Sequence, residues 1–246
     1  MSTTLLLLDS RDKQNGSTNA EPSFRLDSER ITNRSFRISL QSCTIPNLEF
    51  PIGTYNNTVI FAEGGGSNLS ATITPGLYTG SEFATELKTI LDAAGALTYT
   101  VTYSSITGRI TIAPTTSTVQ LKTTNAAFTA AYVMGFNDKT DTADAASITG
   151  DYVVRLDGSR FIDIEISGIG QTVSSKNTSQ PIARVPITAP FGSIVYYEMS
   201  ESSQSQFVAD SQLLSNLQFR LRNEYGRTLE LEDTAYCNFT LLLKPL

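Results

Sequence analysis

Four stretches of this chain alternate apolar and polar side chains with a period of two. Phe36, Ile38 and Leu40 are interleaved with Arg37 and Ser39. Ile162, Ile164 and Ile166 are interleaved with Asp163 and Glu165. Leu217, Phe219 and Leu221 alternate with Gln218 and Arg220, and Leu229 and Leu231 with Glu230 and Glu232. Successive side chains of a strand point to opposite faces, so each stretch offers one face to a core and the other to polar surroundings. A chain built from such pieces buries itself by packing sheets face to face.

Further strand signals fill the intervals. Val59-Ile60-Phe61 precedes the turn Gly64-Gly65-Gly66, and Tyr99–Tyr103 leads through Ser104–Gly108 into Arg109–Ile112 as a hairpin. Ile182–Ile187, Ile194–Tyr197 and Tyr236–Leu243 read as strands too, and Ile45-Pro46-Asn47 ends the strand that begins at Phe36. The period changes only twice. Across Gly80–Gly95, Phe83, Leu87, Ile90 and Leu91 recur at helical spacing, with Ser81 as the expected N-cap; a weaker helix is expected over Ala126–Met134, stopped by Gly135. The fold class expected is all-β: a single jelly-roll β-sandwich with small helical insertions and an N-terminal arm. The domain expectation is an arm over residues 1–30 and the sandwich over residues 31–246.

The arm rests on the first residues. Leu5-Leu6-Leu7-Leu8 is an apolar run too short for a core of its own, and Asp9–Glu21 is polar and rich in turn residues. Leu5, Leu6, Leu7, Leu8, Asp9, Ser10, Arg11 and Asp12 are therefore expected to act between subunits. The apolar run would dock on a neighbour while the polar stretch, which extends to about 40 Å, spans the gap. The opposing expectation is that Leu5–Leu8 adds an edge strand to its own sheet.

Composition sets the limits. At 246 residues the chain can bury about 70–75% of its unfolded surface without disulfides or metal. Apolar residues make up 40% and charged residues 17%, the balance of pleated, half-buried strands. The net charge of −6 disfavours a nucleic-acid partner, which calls for a basic face. Cys43 and Cys237 fit no metal spacing and are expected to be small buried hydrophobes. No signal peptide or apolar run of membrane-spanning length is seen, so the sequons at Asn15, Asn33, Asn56, Asn68, Asn177 and Asn238 are expected to go unused, in a reducing compartment.

Catalytic chemistry is conspicuously short of parts. The chain has no histidine, which removes the commonest general base and the commonest zinc ligand. Gly168 and Gly170 lack the third glycine of a dinucleotide loop. Asp138, Asp141 and Asp144 stand three apart, unlike the ligands of an EF-hand, and Asp163 with Glu165 reads as a solvated strand face. No catalytic residue, no cofactor and no metal is expected, and the chain is read as not an enzyme.

Several stretches together resemble a known family. Leu7-Leu8-Asp9-Ser10-Arg11-Asp12-Lys13, followed by Pro22-Ser23-Phe24-Arg25-Leu26, is similar to the N-terminal signature of jelly-roll penton and minor capsid proteins of nucleocytoplasmic large DNA viruses and virophages. Phe36–Asn47 with its Ile-Pro-Asn ending, Asn56–Phe61, Ile73-Thr74-Pro75-Gly76-Leu77-Tyr78-Thr79 and the closing Leu217–Leu243 continue the likeness. The resemblance implies a structural protein of a double-stranded DNA virus, most often the homopentamer at the fivefold vertices of an icosahedral capsid. It implies as partners other copies of the chain, the major capsid protein and other minor capsid proteins. It places the protein in the virion, assembled in the host cell cytoplasm, without direct nucleic-acid contact. The alternatives are a non-vertex minor capsid or cement protein, a carbohydrate- or receptor-binding β module, and a glycoside-active enzyme on the same scaffold. The absence of Trp, and tyrosines falling mostly at alternating strand positions, speak against the sugar-binding reading.

Overall fold

A computed structural model describes residues 3–26, 35–169, 181–199, 207–210 and 215–246. The chain forms two compact units: residues 1–49 with 159–246, and residues 50–158.

The first unit is the sandwich. One sheet carries β1 (Thr4–Asp9), the last strand β15 (Asn238–Pro245), β3 (Ser35–Pro46) and β12 (Ile194–Glu198) in that order; β13 (Phe207–Asp210) also pairs with β3. The other carries β11 (Ala183–Pro186), β10 (Phe161–Ile166), β14 (Asn216–Asn223) and β2 (Ser23–Arg25). All pairings are antiparallel. β12 lies beside Ser42–Pro46 and β13 beside Ser35–Ile38, so the two act as one interrupted strand along β3. Counting that pair once, the eight strands number β1, β2, β3, β10, β11, β12/β13, β14 and β15, and the sheets read 1-8-3-6 and 2-7-4-5. This is jelly-roll order. The expected all-β sandwich is the fold.

The alternation explains the packing. Ile38 and Leu40, Ile162, Ile164 and Ile166, Leu217, Phe219 and Leu221, and Phe239, Leu241 and Leu243 all enter one core. At its centre Phe219 stacks on Phe239 with ring centroids 4.6 Å apart and meets Phe24 edge-on at 5.8 Å. Cys43 and Cys237 are free thiols in this core, and burial pushes both up to about 12. Leu229 and Leu231 depart from expectation. Their alternation shows in burial but not in a regular strand. They follow a turn in which the Asn223 N–H donates to the Arg227 carbonyl and its Oδ1 accepts from the N–H groups of Tyr225 and Arg227. After it, among the described residues, pairing with β14 is limited to the bridge Arg222↔Thr228 and the bond from the Leu229 N–H to the Leu221 carbonyl.

The second unit lies in sequence between the third and fourth sandwich strands. It carries the sheets β5 (Leu69–Thr72), β4 (Thr58–Glu63), β8 (Val119–Leu121) and β6 (Tyr99–Ser104), β7 (Arg109–Pro114), β9 (Ile148–Thr149). It has its own core, including Phe61, Phe83, Leu87, Leu91, Ile110 and Ile112. This segment is a separately packed unit, and compactness divides the chain at residues 49/50 and 158/159. Helix α1 (Gly80–Ala94) matches its expected span, but its N-cap is Thr79, not Ser81. Thr79 and Glu82 form a capping box, each side chain bonding to the other's backbone. Helix α2 keeps only Ala131–Met134 of the expected nine residues. The N–H groups of Thr129 and Ala130 both donate to the Thr58 carbonyl, tying the preceding segment to β4 instead of to a helical ladder.

Within the first unit the chain leaves at Glu49 and returns at Ser159, and these residues are bonded. Ser159 Oγ donates to Glu49 Oε2 at 3.0 Å, and Asn223 Nδ2 donates to Oε1 at 3.0 Å. Desolvation raises the Glu49 carboxyl above its ordinary value, opposed by those two hydrogen bonds and assisted by Glu230 and Glu224. A raised folded value favours the protonated form, so its contribution to stability is fully present at low pH. It is lost as pH rises from the unfolded value of 4.5 through the folded one. Glu49→Gln is therefore expected to stabilise the unit at pH 7, with the gain over wild type vanishing near pH 4. Denaturant melts at the two pH values check this; a gain of equal size at both would contradict it.

Candidate assembly surface

The residues expected to form an inter-subunit arm are built into the sandwich of their own chain. β1 pairs with β15 from Thr4↔Leu243 to Asp9↔Asn238 and is the edge strand of its sheet among the described residues. Leu8 is buried and Leu6 packs against the core, while Leu5 and Leu7 on the opposite face are 54% and 75% exposed. An edge strand with leucines on both faces shows no alternation, which is why the run reads as a detached hydrophobic patch.

The polar residues after β1 are fixed just as closely. Ser10 is fully buried; its N–H donates to the Cys237 carbonyl at 2.9 Å and its Oγ accepts the Cys237 N–H at 2.8 Å. Asp9 caps the short 3-10 turn Ser10–Asp12 by accepting the Arg11 N–H at 2.9 Å, and also receives the Arg11 guanidinium. That side-chain bond holds the Asp9 carboxyl below its ordinary value. Arg11 lies over the ring of Tyr236 at 5.9 Å, and Asp12 completes the turn. Further on, Asn19 is buried and its Nδ2 donates to the carbonyls of Glu232 and Asp233. This polar stretch enters the sandwich where distant backbone bonds the Ser10 hydroxyl and the Asn19 amide N–H groups.

What the first residues leave free is an outward face. Leu5 lies across from Leu242, which lies across from Ser39; Leu7 lies across from Thr240, itself opposite Ser42. Ser39 is buried, so the face is open toward its edges and not across its middle. On the far side of β3, Ile194, Tyr196 and Val208 stand 66%, 62% and 66% exposed. Each is opposite an outward position of β3: Pro46, Thr44 and Arg37 respectively. The exposed apolar side chains at the two edges of this face are available for contact with another surface.

Three carboxylates, Asp163, Glu165 and Asp141, are engaged structurally. Asp163 receives the Arg184 guanidinium in a fork of two 2.8 Å bonds, as expected of a strand's polar face. Glu165 is not solvated: it is 4% exposed and bonded by Arg222 Nε at 2.9 Å. Asp141 accepts the backbone N–H and the hydroxyl of Thr124. Among the described residues no group of three or more His, Cys, Asp or Glu side chains is placed to hold a metal ion. Gly168 follows β10 with φ of 80°, whereas Gly170 lies outside the described residues, as do the sequons at Asn33 and Asn177. Asn56 is buried, its amide bonded to Pro51 and Gly53. No helix among the described residues is long and apolar enough to cross a membrane.

No family profile matches the chain, and no curated protein sequence matches it. Among solved structures it is similar to the penton protein of mavirus, with a TM-score of 0.52 at 10% identity, covering 100% of both chains. At that identity the likeness speaks for the fold alone.

Proposed function

We propose that this chain is a structural capsid protein of the vertex type, assembling as a homopentamer at the fivefold positions of an icosahedral double-stranded DNA virus. The observation that carries this reading is the jelly-roll strand order with a second unit between its third and fourth strands, matched end to end by a penton protein. The structural bonds of Asp163, Glu165 and Asp141 support a non-enzymatic role, and the proposed role calls for no cofactor or metal. Its partners in this reading are its own copies, the major capsid protein and other minor capsid proteins, in a virion assembled in the host cytoplasm.

The first residues keep a part in assembly, but through a face instead of a free arm. Leu5 and Leu7, on the edge strand, supply the apolar contact between copies, with Arg11 and Asp12 at its rim. A Leu5→Ser, Leu7→Ser double variant is expected to keep its melting temperature within a few degrees, since both side chains are exposed in the monomer. It is expected to sediment as monomer at concentrations where wild type assembles. Unchanged assembly of the folded variant would remove these leucines from the interface.

A further inference from the structure

The second unit carries an open cleft of about 680 Å³ that the assembly reading does not use. Its floor is sewn by main-chain bonds: Tyr152 N–H to the Gly135 carbonyl at 2.8 Å, Arg155 N–H to Val133 at 2.9 Å, and Val154 N–H to Gly108 at 2.8 Å. Gly135 sits at φ +76° with the Tyr152 carbonyl 2.4 Å from where a Cβ would stand. Any other residue there would push the floor apart.

The lining is unusual for so acidic a chain. Only 18 of 246 residues are Lys or Arg, yet Arg109, Lys139 and Arg155 all face this cleft. None of the three forms an ion pair among the described residues, whereas Arg11, Arg160, Arg184, Arg220 and Arg222 all do. Two tyrosines stand beside them: Tyr152, 60% exposed, and Tyr132, 45% exposed with the Arg155 guanidinium 5.2 Å from its ring centre. Neither tyrosine lies in a strand, so the alternation that places other tyrosines in cores or interfaces does not apply to them. Asp138, Asp151 and Asn137 complete the wall, with Asn137 held by its N–H on Asp151 and its Oδ1 on the Lys139 N–H.

We propose that this cleft binds an anionic sugar, a carboxylate-bearing unit of a glycan. The guanidinium groups receive the carboxylate in a planar fork, the exposed face of Tyr152 takes the apolar face of the ring, and the Asp and Asn oxygens accept its hydroxyls. The volume lies within the roughly 300–1,000 Å³ of small-ligand sites. A nucleic-acid strand fits the lining less well, because its successive phosphates call for a continued basic track, whereas the cleft is lined by three cations, enough for one carboxylate. The proposal stands on the cleft alone, independent of how the chain assembles.

Saturation-transfer NMR and isothermal titration with 3′-sialyllactose, lactose and a short oligothymidylate test it on the full chain. Saturable binding of 3′-sialyllactose with a Kd on the order of 1 mM is expected, with lactose weaker by roughly tenfold or more. Arg109→Gln and Tyr152→Ser, both at exposed side chains, are each expected to weaken it roughly tenfold at unchanged melting temperature. Equal response to lactose, no response at all, binding indifferent to both folded variants, or displacement by oligothymidylate would overturn the proposal.

Discussion

Deletion of residues 1–21 is expected to leave the first unit unfolded or insoluble. The segment contributes β1, which covers the β15 edge over six paired residues, and it buries Leu8 and Ala20 in the core. It also carries Ser10, which bonds both the N–H and the carbonyl of Cys237, and Asn19, which bonds two carbonyls of the 232–233 turn. Its last residues feed the other sheet, where the Leu221 N–H donates to the Ala20 carbonyl. Removing a strand from one sheet and a support from the other opens the core on both sides. The loss is expected to rival the whole stability of such a domain, about 5–15 kcal/mol. Circular dichroism and solubility of the truncated chain measure it; a truncated protein that melts within a few degrees of wild type would contradict the architecture drawn for β1.

Phe219→Ala carries the second large effect. Phe219 is 1% exposed, stacked on Phe239 from one sheet and met edge-on by Phe24 from its own. Truncation removes the central contact between the two layers and leaves a cavity that β-sheet backbones cannot close. A loss of about 3–5 kcal/mol is expected in denaturant melts. Ile106→Ser, at a 95% exposed hairpin tip, serves as the control and is expected to change stability by less than about 0.5 kcal/mol. Losses of similar size at both positions would show that the sandwich core is not where the alternation puts it.

The sandwich was legible because its strands bury one face each. Ile162, Ile164 and Ile166 announce their strand by period alone, and their partners Leu221 and Phe219 do the same. The edge strand was harder to read, since Leu5 and Leu7 face outward while Leu6 and Leu8 face inward and no period survives. Ser10 and Asn19 read as solvated because the groups that satisfy them lie more than two hundred residues away. The second unit was hidden for a related reason. Its strands alternate like those of the sandwich, and only pairing, such as β4 with β5 and β8, shows that they close on a different core. Helix α1 was visible from Phe83, Leu87 and Leu91, whereas α2 lost its first half to hydrogen bonds with Thr58 that no local pattern encodes. The cleft was the least legible feature. Arg109, Tyr132, Lys139 and Tyr152 are scattered over some forty residues and are brought together by the fold of the unit.

Native mass spectrometry of the purified full-length chain bears most directly on the proposed vertex role. Each copy weighs 26.7 kDa, and the account predicts a dominant species of five copies that collapses to one in the Leu5→Ser, Leu7→Ser variant. A wild-type protein that stays monomeric, or that closes at another number of copies across the accessible concentration range, would contradict it.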